Sequence, residues 1–212
     1  LKKSGLFLDN EKGYMDRFRE RIMFPIYNHF NKIVGFAGRI YNGNNKTAKY
    51  MNSPETPIYN KSKILYGMNL NKNEIIDSKH VIIVEGYLDL IQLYQAGFKN
   101  VLSVSGTAFT QYHATAISKL CKTIYLAYDG DKAGQDAGIR AGYIILKNNM
   151  EPKIIKMPDG LDPDDWIQNE GPDPFKKGIQ EAKGLINFHY EIESKLFETD
   201  QNKIDFINKV IL

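Results

Sequence analysis

Short, uninterrupted runs of apolar residues alternate with segments of helical periodicity in the middle of the chain. The runs predict four strands and the segments between them predict three helices, over residues 80–84, 88–96, 101–104, 110–120, 123–128, 133–147 and 152–157. Strands that are apolar on both faces and separated by helices are typical of a parallel sheet that helices cover on both sides. The sequence therefore predicts an α/β fold with a four-stranded parallel sheet flanked by helices.

Different patterns flank this region. Residues 21–27 and 33–40 are rich in β-branched and aromatic residues and predict an antiparallel hairpin. Residues 164–169 and 174–197 are mostly helical in pattern, and residues 201–212 begin one more helix. We therefore expect three parts, a small mixed α+β subdomain, a parallel-sheet domain and a C-terminal helical subdomain, over residues 1–76, 77–167 and 168–212.

Charge is distributed unevenly along the chain. Residues 1–63 contain 12 basic and 5 acidic residues, whereas residues 64–212 contain 16 basic and 20 acidic residues. The formal net charge of +3 therefore conceals a balance of +7 followed by one of −4. A basic first third and an acidic remainder indicate two surfaces with different partners.

Composition excludes several classes of protein. Cys121 is the single cysteine, so neither an internal disulfide nor a zinc site of the multi-cysteine kind can form. The four histidines are scattered without ligand spacing, and the apolar runs are far too short to cross a bilayer. We expect a cytoplasmic protein without zinc and without a membrane partner.

Acidic residues follow the predicted strands at their carboxyl ends, the edge where parallel sheets bind ligands. They are Glu85, Asp89, Asp129, Asp131, Asp159, Asp162, Asp164 and Asp165. Carboxylates that are crowded together repel one another unless cations neutralise them, and oxygen ligands favour Mg²⁺, Mn²⁺ or Ca²⁺. Glu85 can join Asp129 and Asp131 only if the first and third predicted strands are neighbours, which predicts the strand order 2-1-3-4.

Each acidic element also has a simpler interpretation. Asp129-Gly130-Asp131 is a common turn sequence. Asp162 is well placed to cap the next helix, and Asp89 suits the first turn of a helix because of the helix dipole. The coincidence of all these elements at one edge favours the metal site.

Basic residues in the first third offer the opposite charge. Arg17, Arg19 and Arg21 alternate and would point to one side of an extended segment, where they would either contact phosphates or face water. Arg39, Lys49 and further lysines follow. Neither the GxxxxGK[ST] loop nor the GxGxxG fingerprint is present, which excludes the familiar ATPase and dinucleotide motifs.

Seven sequence segments resemble known families. Residues 84–89 (VEGYLD) and 128–134 (YDGDKAG) resemble the TOPRIM domain, a metal-binding module of bacterial primases, topoisomerases and some nucleases. The other segments resemble DnaG-type bacterial primases, and they are RFRERIMFPI, GFAGR, KYMNSPET, LYG and PDGLDPD at residues 17–26, 35–39, 49–56, 65–67 and 158–164. The resemblance covers roughly residues 5–175.

The resemblance implies the RNA polymerase domain of a primase, which copies single-stranded DNA into short RNA primers from ribonucleoside triphosphates. It implies two or more Mg²⁺ or Mn²⁺ ions, with metal chemistry at Glu85, Asp129 and Asp131 and further ligands at Asp89, Asp162 and Asp164. The residues that it implies for nucleotide and template binding are Arg17, Arg19, Arg39, Lys49, Tyr50, Asn52 and Lys61.

The family also has a zinc-binding module before this region and a helicase-binding module after it. A start at Leu1 and an end inside a helical pattern indicate a fragment, so we expect both modules, and with the second the contact to the replicative helicase, to lie outside the chain. The alternatives are a TOPRIM-type metal-dependent nuclease, a topoisomerase or a non-catalytic nucleotide- or nucleic-acid-binding module.

Overall fold

The computed structural model of the chain describes residues 2–11, 13–41 and 48–211. Its strands are β1 Phe7–Asn10, β2 Gly13–Asp16, β3 Arg21–Tyr27, β4 Ile33–Ile40, β5 Tyr50–Asn52, β6 His80–Val84, β7 Val101–Ser103, β8 Thr123–Leu126, β9 Glu151–Ile154 and β10 Lys183–Gly184. Its α-helices are α1 Met68–Ser78, α2 Tyr87–Gln95, α3 Gln111–Ile117, α4 Lys132–Lys147, α5 Pro163–Glu170, α6 Pro172–Gln180, α7 Leu185–Glu193 and α8 Asp200–Ile211. Among the described residues, no helix is long and apolar enough to cross a membrane.

The central sheet has the order β10-β9-β8-β6-β7. β6 pairs in parallel with both β7 and β8, and β8 pairs in parallel with β9, so the predicted order 2-1-3-4 is confirmed. The prediction of four strands omitted β10, which pairs antiparallel with β9 at the edge. This strand comprises only Lys183 and Gly184, and two such residues have no apolar pattern from which a strand could be recognised.

Alternate residues of the central strands face opposite layers of helices. In β6, Val81 and Ile83 belong to the apolar cluster that includes residues of α3, α4 and α7, whereas Ile82 and Val84 belong to the cluster with α2, α5 and α6. All four side chains are fully buried. Burial on both faces explains why these strands are uninterrupted apolar runs in the sequence.

A second sheet has the order β3-β4-β5 and is antiparallel, which confirms the predicted hairpin. Phe24 and Ile26 of β3 share an apolar cluster with Tyr87 at the start of α2, and the rings of Phe24 and Tyr87 stack with centroids 5.3 Å apart. Tyr66 also pairs with Ser103 of β7 through backbone hydrogen bonds. These contacts place the sheet β3-β4-β5, called the basic sheet below, beside the carboxyl edge of the central sheet.

The prediction of an extended segment through Arg17, Arg19 and Arg21 is wrong, because residues 17–20 form a turn. The backbone N–H of Phe18 donates to Asp16 Oδ1 at 2.8 Å, and Glu20 has a φ of 55°. A short acidic side chain that binds nearby backbone competes with strand pairing. The regular alternation that would place the three arginines on one side is therefore lost.

Two predicted boundaries fall inside helices. α1 runs across the boundary between residues 76 and 77, and α5 runs across that between residues 167 and 168. The boundaries therefore belong at helix ends, because a continuous helix moves as one element. The division into three parts stays a prediction.

Ile124 in β8 is fully buried between the helix layers. The substitution Ile124→Ala should lower the free energy of unfolding by about 2–5 kcal/mol, because it leaves a cavity in the central sheet. Chemical denaturation measures this change. As a control, Ile58→Ala at a side chain that is 69% exposed should change the free energy by no more than about 0.5 kcal/mol; equal losses would contradict this account of the core.

Candidate functional site

A cavity of about 440 Å³ lies where the carboxyl edge of the central sheet meets the basic sheet. Its charged and polar lining consists of Arg39, Lys49, Tyr50, Asn52, Glu85, Asp89, Ser105, Asp129, Asp162, Asp164 and Asp165. Tyr87 and the backbone of Gly86 and Gly106 complete much of the wall. The cavity thus joins acidic residues of one sheet to basic residues of the other.

The acidic wall depends on the order of the central strands. Glu85 follows β6 and Asp129 comes shortly after β8, and these two strands are hydrogen-bonded neighbours. The backbone N–H of Asp129 donates to Glu85 Oε1 at 3.4 Å. Asp162, Asp164 and Asp165 reach the same cavity from the start of α5.

Asp89 connects two of these elements. One carboxylate oxygen accepts from the backbone N–H of Gly86 at 2.8 Å, and the other accepts from that of Asp164 at 3.3 Å. The residue is only 6% exposed. Asp89 therefore holds the start of α2 against the start of α5 and keeps a carboxylate in the cavity wall.

Burial and mutual repulsion raise the pKa values of these carboxyl groups. Burial, then the charge of Asp162, raises the pKa of Asp89 to about 7, and burial, then the charge of Glu85, raises the pKa of Asp129 to about 6. Burial also raises the pKa values of Glu85 and Asp162. Each group would become more acidic if a cation were bound, because a nearby positive charge favours the ionised form.

Asp131 and Asp162 also cap helices, as the simpler interpretation suggested. Asp131 Oδ1 accepts from the backbone N–H of Gly134 at the start of α4, and Asp162 Oδ1 accepts from that of Asp165 at the start of α5. Asp162 lines the cavity, whereas Asp131 is exposed and lies outside its lining. The charge of Asp131 nevertheless raises the pKa values of Glu85 and Asp129, so it lies within electrostatic reach of both.

The structure brings only part of the predicted basic set to this cavity. Arg39 and Lys49 line it, and the Arg39 guanidinium lies 5.8 Å from the ring centroid of Tyr50. Lys61 instead lines a small neighbouring depression. Arg17 and Arg19 lie in the turn before β3 and are absent from the cavity lining.

Asn52 and Tyr87 form a hydrogen-bonded link between the two sheets, called the bracket below. Asn52 Nδ2 donates to the backbone carbonyl of Ser105 at 3.1 Å, and Asn52 Oδ1 accepts from the hydroxyl of Tyr87 at 3.0 Å. Asn52 faces the cavity with both ends of its amide already engaged. Sequence reasoning missed Tyr87, because nothing in a buried tyrosine next to a glycine indicates that its hydroxyl would reach a distant strand.

Asp165 was expected at the acidic edge but was left out of the metal ligands that the resemblance implied, although it lines the cavity. The signal for it was present, since it directly follows Asp164 in the acidic stretch after the fourth predicted strand. A helix start places consecutive residues on different faces, so the sequence could not tell which of these carboxylates would face the cavity.

Gly130 lies where two loops pack closely together. A Cβ atom at this position would lie 2.0 Å from the carbonyl oxygen of Pro158, and the backbone N–H of Gly130 donates to the carbonyl of Leu161 at 2.9 Å. The missing side chain therefore allows the loop after β8 to pack directly on the loop after β9. This contact brings Asp162 and its neighbours towards Asp129.

The acidic wall fits a divalent cation by donor type and by charge. All of its candidate donors are carboxylate oxygens. Burial raises the pKa values of Asp89 and Asp129, and the charges of neighbouring carboxylates raise them further. In the part of the chain that the structure describes, no three carboxylate, imidazole or thiolate side chains converge closely enough to enclose an ion as they stand. Two of these carboxylates, Asp131 and Asp162, instead accept backbone hydrogen bonds as helix caps.

Comparisons with known proteins agree with this arrangement. A family model described as the N-terminal domain of the DNA primase catalytic core matches residues 1–72, and one described as Toprim-like matches residues 82–167. DNA primase of Clostridium acetobutylicum is 39% identical over 189 residues, and that of Staphylococcus aureus is 37% identical over 206 residues. These alignments cover 89% and 96% of the chain but 31% and 34% of the relatives, so the chain spans about one third of their length.

Solved structures are similar over almost the whole chain. A DnaG catalytic core is 32% identical with a TM-score of 0.85, over 97% of this chain and 67% of that one. A DNA primase domain from Pseudomonas aeruginosa is 33% identical with a TM-score of 0.86, over 97% and 66%. A DnaG primase catalytic domain bound to single-stranded DNA is 34% identical with a TM-score of 0.82, over 90% and 60%. The α/β fold expected from the sequence is therefore confirmed.

The raised pKa of Asp129, caused by burial and then by the charge of Glu85, should be visible in the stability of the metal-free chain. A carboxyl group whose pKa is raised on folding destabilises the fold as pH rises from its ordinary pKa to the raised one. For Asp129 this window runs from 3.8 to about 6. The free energy of unfolding in a chelator should therefore fall less across this window in Asp129→Asn than in the unchanged chain, as urea denaturation at a series of pH values would measure.

The same denaturation measurements should be repeated in millimolar Mg²⁺ instead of the chelator. Mg²⁺ should stabilise the unchanged chain more at pH 7 than at pH 4, because the carboxylates are ionised at pH 7 and can bind the ion. Parallel pH curves for the two chains would contradict the raised pKa of Asp129.

The bracket between the two sheets gives a second prediction. Tyr87→Phe removes the hydroxyl that donates to Asn52 but keeps the ring that stacks on Phe24. It should lower the free energy of unfolding by about 0.5–1.5 kcal/mol, the usual net value of one hydrogen bond. Tyr112→Phe, which changes an exposed ring, is the control and should leave stability unchanged. Equal losses of stability in the two variants would show that the hydrogen bond between Tyr87 and Asn52 does not stabilise the fold.

Proposed function

Because the chain belongs to the DnaG-type family of bacterial DNA primases, we propose that it is part of a catalytic core that synthesises short RNA primers on single-stranded DNA. The observation that carries the proposal is one cavity with Glu85, Asp89 and Asp129 on one wall and Arg39 and Lys49 on the other. An acidic wall suits metal ions, and a basic wall suits the phosphates of a nucleotide. Joining two nucleotides requires both.

We propose that Mg²⁺ or Mn²⁺, two or more ions together, bind at the acidic wall. The proposed ligands are Glu85, Asp89, Asp129, Asp131, Asp162 and Asp164. When bound, such ions would neutralise the triphosphate and make the attacking hydroxyl more acidic. Glu85, Asp129 and Asp131 are the proposed catalytic residues. The neighbouring strands β6 and β8 hold Glu85 and Asp129 in the wall of the cavity.

The basic wall would orient the incoming ribonucleoside triphosphate. Arg39 and Lys49 would contact its phosphates, and the ring of Tyr50, which lies beside Arg39, would flank the nucleotide. Asn52 would contribute by holding the two sheets in register. Arg17, Arg19 and Lys61 are outside the cavity lining, and we propose that they bind the template backbone in a salt-sensitive manner that does not depend on sequence.

The proposed partners follow from this reaction. They are a single-stranded DNA template, ribonucleoside triphosphates and the growing RNA primer, with contact to the replicative helicase through a further C-terminal module. The similarity to a catalytic domain that is bound to single-stranded DNA supports the first of these. We propose the bacterial cytoplasm, at the replication fork of the nucleoid, as the location.

Primer synthesis tests the proposal directly. The chain would be extended with the flanking segments of the Clostridium acetobutylicum primase, and incorporation of a labelled ribonucleotide on single-stranded DNA would be measured. Asp129→Asn and Glu85→Gln should each lower the rate by about 10²–10³-fold, the effect of losing a group that stabilises developing charge. Asp77→Asn, at an exposed position outside the cavity, should leave the rate unchanged.

Two results would contradict the proposal. One is full activity in Asp129→Asn. The other is cleavage of DNA by the extended chain with Mn²⁺ and without ribonucleotides, which would favour the nuclease instead.

A further inference from the structure

A second large groove lies at the opposite end of the β3–β4 hairpin from the acidic cavity. It has a volume of about 520 Å³ and is bounded by the hairpin turn, the segment before α1, α1 itself and α3. Its apolar floor includes Leu65, Met68 and Ile76. Arg39, which pairs with Ile22, lines the acidic cavity, whereas Tyr27 lines this groove, so roughly 17 Å of strand separates the two.

The charge of this distal groove is positive. Lys63, Lys72 and Lys119 line it, and all three are exposed. Its lining contains no aspartate or glutamate, and within the described ranges no carboxylate pairs with any of these lysines. Three unpaired ammonium groups over an apolar floor attract a ligand that carries both negative charge and apolar surface.

Aromatic rings flank the groove at two points. The ring of His29, in the groove lining, lies 3.9 Å from that of Phe30, which is 72% exposed. The ammonium group of Lys63 lies 4.6 Å from the ring centroid of Tyr112, which is 57% exposed. Exposed rings between cationic side chains are the usual platform for unpaired bases.

A small depression shares lining residues with both the distal groove and the acidic cavity. Its lining shares Ile64 with the groove and shares Tyr87 and Ser105 with the cavity, and Lys61 lies in it. Basic side chains therefore follow one another from the acidic cavity, through Lys61 and Lys63, to Lys119. This succession gives an extended polyanion a favourable path along the surface.

We propose that the distal groove binds single-stranded nucleic acid at a distance from the acidic cavity, with Lys63, Lys72 and Lys119 on the phosphates and Tyr112 and Phe30 against bases. The proposal rests on the proposed function for its choice of ligand, and it adds a contact surface that the reaction itself does not require. An acidic peptide would satisfy the lysines, but it would leave two exposed rings at the ends of the groove without a partner. Nucleic acid engages both features.

Binding of a dye-labelled oligothymidylate, followed by fluorescence anisotropy in a chelator, tests this proposal without any catalysis. The triple variant K63Q/K72Q/K119Q should weaken binding at least tenfold at low salt. Each lost phosphate contact removes about 0.7 from the slope of log affinity against log salt concentration, so the slope should become shallower by about 2. Because all three side chains are exposed, the circular dichroism spectrum should be unchanged.

A matched triple variant, K99Q/K177Q/K203Q, removes the same charge from exposed positions outside the distal groove and should keep the original slope. Tyr112→Leu should weaken binding about fivefold or more, since stacking on one base contributes about 1–3 kcal/mol. Equal losses in the two triple variants would overturn the proposal, because binding would then follow net charge alone.

Two further outcomes would also overturn it. One is that the groove variant binds DNA normally. The other is that it loses affinity for an acidic, leucine-containing peptide while DNA binding is unchanged. Neither outcome would affect the proposed function, which the ribonucleotide incorporation assay tests at Glu85 and Asp129.

Discussion

The burial of several carboxylates at one edge of the central sheet is the constraint on which the candidate site depends. Glu85 and Asp129 are held beside one another because β6 and β8 are paired in the middle of the central sheet. Burial raises the pKa values of both groups, and neighbouring carboxylates add to the rise, Asp131 for Glu85 and Glu85 for Asp129. Buried apolar side chains on both faces of the sheet keep the strands in place, so packing stabilises a site that electrostatics alone would separate.

The acidic wall is completed by contacts between loops. Gly130 lets the loop after β8 lie against Pro158, and Asp89 holds the starts of α2 and α5 together. Carboxylates from distant parts of the sequence therefore face a single cavity. A cation in the cavity would attract all of these carboxylates and offset the repulsion between them. The donor set and its negative charge therefore support a metal site.

The uneven charge of the chain corresponds to a division in space. Arg39 and Lys49 of the basic third face the carboxylates across the cavity, and the bracket of Tyr87 and Asn52 joins the two sides. Lys63, at the end of that third, lies in the distal groove with lysines from further along the chain. The net charge of +3 is thus the sum of contributions that include one strongly acidic surface and two basic ones.

Local pattern was sufficient to predict the four parallel strands and the β3–β4 hairpin, because apolar and β-branched periodicity is visible in the sequence, but it did not predict β1 or β5. The expectation that Glu85 joins Asp129 was sufficient to predict the order of the parallel strands. Local pattern was insufficient for the turn at residues 17–20, where the side chain of Asp16 binds nearby backbone, and for the two-residue strand β10. The same limit applied to helix caps: Asp131 and Asp162 look alike in sequence, yet only Asp162 lines the cavity.

The amino-acid sequence by itself determined which residue types gather at the carboxyl edge of the sheet, since strand ends are set by local chemistry. Tertiary structure alone decided which of those side chains face one another, that a tyrosine hydroxyl reaches Asn52, and that three lysines from separate segments line one groove. Those features depend on the packing of distant elements, and the distances that packing creates are not encoded in the spacing of residues along the chain.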